Sequence, residues 1–121
     1  MVELRYVILF VSDLDRSIRF YRDVLGLAVR SEGRDQIEFE TGNLGLTLHQ
    51  ARWEAPPHHS PTRAGSVRLG LHLEDVGLAH TRLTEAGCLC LSPPERRGDV
   101  IMALYEDPDG HHLSLASDAH D

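Results

Sequence analysis

The stretch that decides the fold is F-V-S-D-L-D-R-S-I-R-F-Y-R-D-V-L-G-L, Phe10 to Leu27. It joins an apolar strand to an amphipathic helix through one acidic residue. Val7, Leu9 and Val11 alternate with Tyr6, Ile8 and Phe10, so both faces are apolar, the pattern of a strand covered on both sides. Asp13 is placed to cap the helix, because its carboxylate can accept from the free amides of the first turn. Leu14, Ile18, Tyr21 and Leu25 follow at helical spacing as one apolar stripe, and Gly26 stands where a left-handed cap is wanted.

The unit occurs again as L-G-L-H-L-E-D-V-G-L-A-H-T-R-L-T-E-A-G, Leu69 to Gly87. Leu73 matches Val11, Asp75 matches Asp13, Val76 matches Leu14 and Ala79 matches Ser17, all at an offset of 62. Gly87 falls one residue out of step with Gly26. An offset near half of a 121-residue chain reads as duplication of one module. Two unrelated units sharing an acidic cap by chance are the weaker reading, because strand and cap match at the same offset.

Working outward, Ala28 to Glu32 and Gln36 to Glu40 read as strands, with Gly42-Asn43 a hairpin signal before Leu44, Leu46 and Leu48. Residues 51–66 carry three of the six prolines and no period, and read as a linker. His58-His59 within it is expected in a surface loop, and Trp53 either packs on a sheet edge or overhangs a pocket. The second module repeats the plan, with a strand over Val67 to Leu73 and a helix from about Val76 to Ala86. Strands over Leu89 to Leu91 and Val100 to Tyr105 are joined through Pro93-Pro94 and Gly98-Asp99. The D-P-D-G turn, Asp107 to Gly110, leads into a last strand, His111 to Ala116. The expected architecture is one α+β domain over residues 1–121, with module 1 at about 1–50, the linker at 51–66 and module 2 at about 67–117.

A chain of this length can bury a core without staples. Its net charge of −7 argues against nucleic acid and anionic membrane surfaces as partners. The apolar run Tyr6 to Val11 is too short for a membrane span, and no signal peptide is read. Cys88 and Cys90, one residue apart on a strand, point to opposite faces and do not pair, and a lone C-x-C is no zinc signature. Free thiols in the cytoplasm are the expectation.

In each module the leucine-rich sheet face is expected under the helix. The opposite face carries Gln36, Glu38, Thr47, His49, Arg68, His72, His112 and Ser114. Such a face can simply meet water, but Tyr6, Ile8 and Phe10 share it, which implies partial enclosure and a small-molecule cavity of mixed character.

The segment V-S-D-L-D-R-S-I-R-F-Y-R-D-V-L-G-L, the repeated E-D-V helix start and E-D-P-D-G-H-H-L-S-L resemble the vicinal oxygen chelate superfamily. That group includes glyoxalase I, extradiol dioxygenases, methylmalonyl-CoA epimerase, and fosfomycin- and bleomycin-resistance proteins. The resemblance covers essentially the whole chain and implies two tandem βαβββ modules with sheets curled around a cavity. It also implies where a divalent metal would sit: a His or Gln on the first strand of each module and a Glu on the last. Those positions are Tyr6, Arg68, Thr47 and Ser114 here, so all four have lost the ligand, and no metal or other cofactor is expected. His49, His72 and His112 lie off these positions and are expected at the surface or a cavity rim.

Two functions stay open. The preferred one is a metal-free binder resembling the bleomycin-resistance branch, which sequesters a ligand at a dimer groove without chemistry. Tyr6, Ile8, Phe10 and Met102 would give apolar contact, and Glu38, Thr47, His49, Arg68, His72 and Ser114 would orient the ligand. The alternative is an enzyme, either a glyoxalase- or dioxygenase-like protein with a divergent metal site or a metal-free catalyst using His49 or His72 as acid–base. No spacing supports covalent catalysis. Arg68 is expected as a buried guanidinium, paired either with Glu38 or with an anionic ligand. A homodimer is expected, because half-barrels expose sheet edges that need cover.

Overall fold

The computed structural model describes residues 3–52 and 67–119. The chain forms two compact units, Met1–Ala55 and Pro56–Asp121. The first contains β1 (Tyr6–Val11), α1 (Leu14–Ile18) running on into a π-helical segment (Arg19–Val24), β2 (Ala28–Glu32), β3 (Gln36–Glu40) and β4 (Gly45–Gln50). The second contains β5 (Arg68–His72), α2 (Val76–Glu85), β6 (Leu89–Arg97), β7 (Val100–Glu106) and β8 (His112–Asp118). The sheets have strand orders β1-β4-β3-β2 and β5-β8-β7-β6. In each, the first strand runs parallel to the last and the remaining pairs are antiparallel. The fold is therefore α+β, built from two βαβββ modules.

The duplication extends to backbone geometry. Asp13 lies at φ −140°, ψ 100° and Asp75 at φ −145°, ψ 99°. Asp13 Oδ1 accepts the Arg16 N–H at 3.1 Å, and Asp75 Oδ1 accepts the Leu78 N–H at 3.0 Å. Both helices end on a left-handed glycine, Gly26 at φ 83° and Gly87 at φ 82°. The one-residue difference in their spacing is taken up by the π-helical segment. There the Leu25 N–H donates to Phe20 O, five residues back, at 2.9 Å. A π turn holds one residue more than an α turn, so the first helix reaches the same end point with one extra residue. The sequence stripe predicted a plain α-helix; this is its correction.

Each core lies between the helix and the leucine-rich face of its own sheet. In the first module Val11, Tyr21, Ile37, Phe39 and Leu48 are fully buried. Tyr21 stacks edge-on against Phe20 with centroids 5.0 Å apart and tilted against Phe39 at 6.4 Å. In the second, Val76, Leu83, Tyr105, Leu113 and Leu115 are fully buried. The Tyr105 hydroxyl is hydrogen-bonded to His80 Nδ1 on α2 at 2.7 Å. Burial, with the nearby Cys90 and Cys88 thiols adding to it, pushes this phenol up to about 12.

Two further expectations are corrected. β6 continues through Pro93-Pro94 to Arg97 rather than ending at Leu91. It is an edge strand whose pairing with β7 shifts between Cys90 and Ser92 and again between Ser92 and Glu95, and proline is tolerated at such edges. Likewise β1 is an edge strand, and Tyr6, Ile8 and Phe10 are exposed, at 57%, 42% and 59%. One face of β1 is covered, the other is not, because the module has a single helical segment and it lies on the Val11 side.

Both cysteines are free thiols. Among the described residues no helix is long and apolar enough to cross a membrane.

Candidate functional site

The face of each sheet turned away from its helix carries the polar chemistry. In the first module, strand register sets Tyr6 opposite Gly45, Ile8 opposite Thr47 and Phe10 opposite His49. Glu38 faces Thr47 from the other side. Tyr6, Ile8, Phe10, Glu38, Thr47 and His49 therefore share one face, as the alternation predicts. The His49 ring tilts against Phe10 with centroids 5.6 Å apart, and its Nδ1 lies 2.9 Å from Gln50 O. A groove of about 980 Å³ opens on this face, with Tyr6, Arg30, Glu38, Glu40 and Gly45 among its lining residues. Gly45 forms part of its floor because a Cβ there would stand 3.2 Å from Glu38 Oε1. Arg30 pairs with Glu38 at 3.4 Å.

In the second module Arg68 faces His112, Gly70 faces Ser114 and His72 faces Ala116 across β5 and β8. On β7, Glu106, Leu104 and Met102 continue these three rows. Arg68, His72, Met102 and Ser114 thus share one face as well. Ile8 opposite Thr47 and Gly70 opposite Ser114 are equivalent pairs, so Thr47 and Ser114 occupy the same place in the two modules. His72 Nε2 lies 3.1 Å from Asp118 Oδ1, and His112 Nε2 lies 3.5 Å from Glu106 Oε1.

Arg68 is exposed, not buried as expected, because β5 is an edge strand and only its alternate residues turn to the core. Its other proposed partner, Glu38, is engaged by Arg30. Among the described residues Arg68 makes no hydrogen bond or ion pair. Trp53 and His58-His59 lie outside the described residues.

The family's metal positions do not fit a divalent cation. A phenol, two aliphatic hydroxyls and a guanidinium offer neither imidazole nor carboxylate, and the guanidinium repels. His72 and His112 do not substitute. They stand at opposite ends of the β5–β8 face, about 13 Å of strand apart, each beside its own carboxylate. Among the described residues no group of three His, Cys, Asp or Glu side chains could hold a metal.

Sequence reasoning missed Arg30, Glu40, Glu106 and the position of His112. The irregularity between Val29 and Ser31 leaves Arg30 out of the regular β2–β3 register, and no sequence signal marks it. Glu106 and His112 flank the D-P-D-G turn, and the turn that brings them level was itself legible.

Residues 3–115 match the Glyoxalase/Bleomycin resistance protein/Dioxygenase superfamily. The lactoylglutathione lyase of Haemophilus influenzae is 25% identical over 123 residues, covering 94% of this chain and 91% of that protein. The glutathione transferase FosA of Serratia marcescens is 30% identical over 114 residues, covering 93% of this chain and 78% of that one. A glyoxalase-related enzyme from Fulvimarina pelagi has the same fold, with a TM-score of 0.77 at 21% identity over 98% of this chain and 89% of that one. With its two βαβββ modules and this match over nearly its whole length, the chain belongs to the glyoxalase/bleomycin resistance protein/dioxygenase superfamily.

Proposed function

We propose that the chain is a small-molecule-binding member of this superfamily that works without a divalent metal, in the manner of the bleomycin-resistance branch. The observation that carries this reading is Arg68 at a position where the family's enzymes place a metal ligand, with Tyr6, Thr47 and Ser114 at the other three. In the first module apolar contact would come from Tyr6, Ile8 and Phe10 and orientation from Thr47 and His49, with Glu38 held by Arg30; in the second, apolar contact would come from Met102 and orientation from Arg68, His72 and Ser114. Elemental analysis of protein made in metal-supplemented medium tests it. Less than about 0.1 equivalent of nickel, zinc, iron or manganese is expected; one equivalent, lost on mutating His72 or His112, overturns it.

The reading includes a second copy of the chain as partner and a reducing, cytoplasmic location. Support for the first is the exposed Tyr6, Ile8 and Phe10 on an edge strand; support for the second is the pair of free thiols. Light scattering is expected to give about twice the 13.5 kDa chain mass. A monomer at all concentrations removes the dimer.

The second reading is an enzyme, favoured by the relatives' names, a lyase and a glutathione transferase. Formation of lactoylglutathione, assayed with and without added nickel or zinc, separates the two: turnover above the uncatalysed rate establishes the enzyme.

A further inference from the structure

The face of the second sheet turned away from its helix is charged at both ends, with small and apolar side chains between. At one end Arg68, His112 and Glu106 stand level across three neighbouring strands. His112 is 5% exposed, and its Nε2 is turned to Glu106. The Glu106 carboxylate is thereby directed to the imidazole, and the exposed guanidinium of Arg68 is left with its donors unspent among the described residues.

The next row is Gly70, Ser114 and Leu104, and the one after it His72, Ala116 and Met102. Among the described residues, a Cβ built on Gly70 meets nothing within 4 Å, so they leave open space over the backbone beside Arg68. Gly70 and Ala116 carry little or no side chain, and Leu104 and Met102 beside them are apolar, so these two rows make an apolar floor. It extends for four residues, or ~13 Å of strand, from the Arg68 row to the His72 row. A planar fork of donors at the edge of such a floor matches a planar carboxylate continuous with an aromatic ring.

We propose that this face binds a flat aromatic monocarboxylate, with its carboxylate on Arg68, a further hydrogen bond from Ser114, and its ring over Gly70. The inference rests on the metal-free binding reading above and adds the ligand class and its orientation. Gly70 is the specificity-determining position: any side chain there fills the space the ring would occupy.

The test is titration of the full chain with 2-naphthoate, and with neutral 2-naphthamide as control, followed by amide chemical shifts. Saturable shifts centred on Arg68, Gly70 and Ser114 are expected with naphthoate. Arg68→Met should weaken naphthoate at least tenfold and leave naphthamide unchanged. Gly70→Val, which fits an ordinary strand and an open space, should fold normally and abolish both. Naphthoate that does not bind, or binds as well to either variant as to wild type, overturns the proposal. Metal-free protein that instead binds only cationic or neutral compounds refutes this ligand class alone. A stoichiometric metal refutes the underlying reading and leaves the Arg68 and Gly70 effects to be judged on their own.

Discussion

The side-chain oxygen of Gln50 accepts the backbone N–H of Leu14 at 2.9 Å, across 36 residues of sequence. Ser117 Oγ does the same for Val76 at 3.2 Å. Each pair ties the end of a module's last strand to the first turn of its helix. Gln50 Nε2 also donates to Ser12 O at 2.8 Å. Free amides at a helix start need partners, and here one comes from the far end of the sheet. The two modules therefore close by the same device with different side chains.

Ser117→Ala is expected to cost about 1–3 kcal/mol, because Ser117 and Val76 are both buried and the freed N–H gains no partner. Gln50→Ala should cost less, about 1 kcal/mol, since its bond is only part-buried and water can replace it. Urea unfolding of both variants checks the order. The reverse order would show that water reaches the second module's helix start and not the first.

Stability should fall through His111 as pH rises above 6.5. Its Nδ1 lies 2.7 Å from Asp107 Oδ2, and the Asp107 side chain is fully buried. Burial opposes the imidazolium, but the hydrogen bond and charge of Asp107, with Asp109 adding, outweigh it and raise the His111 pKa above 6.5. A raised folded-state pKa contributes stability that is complete below 6.5 and is lost as pH rises through the folded value. Unfolding free energy measured from pH 5.5 to 9 should decline over that window, and His111→Gln should flatten it. An unchanged slope in His111→Gln would assign the decline to another group.

Cys88 should resist alkylation while the protein is folded. Burial first, then the charges of Asp107, Cys90 and Glu106, push its thiol up to about 11. At pH 8 about 0.1% is then thiolate, the nucleophilic form. Mass-spectrometric mapping after a short iodoacetamide pulse should find Cys88 nearly unmodified, and fully modified when the pulse is given in denaturant. Rapid labelling in the native state would show that the Cys88 strand end opens readily.

Deleting Arg22 should leave a folded protein. Arg22 is exposed, lies in the π-helical segment, and pairs with the adjacent exposed Asp23. Removing one residue there restores the spacing found between Asp75 and Gly87. A cooperative thermal transition is expected, with a loss of about 2 kcal/mol or less. Loss of cooperativity would mean that the wide turn is required to seat Phe20 and Tyr21.

The duplication, the acidic helix caps, the turn glycines and the division of each sheet into a leucine face and a polar face were all legible in the chain. They rest on local rules: strand alternation, helical spacing, cap chemistry and the glycine preference for positive φ. The co-facial sets Tyr6, Ile8, Phe10, Glu38, Thr47, His49 and Arg68, His72, Met102, Ser114 follow from the same alternation. What the chain did not disclose depends on which strand neighbours which, and on where a register slips. The edge places of β1 and β5 leave Phe10 and Arg68 exposed, where an enclosed cavity would have buried them. The slip after Val29 gives Glu38 to Arg30, and the slips in β6 carry a strand through two prolines. The level row of Arg68, His112 and Glu106 joins residues up to 44 positions apart, and only strand pairing across the sheet could bring them together.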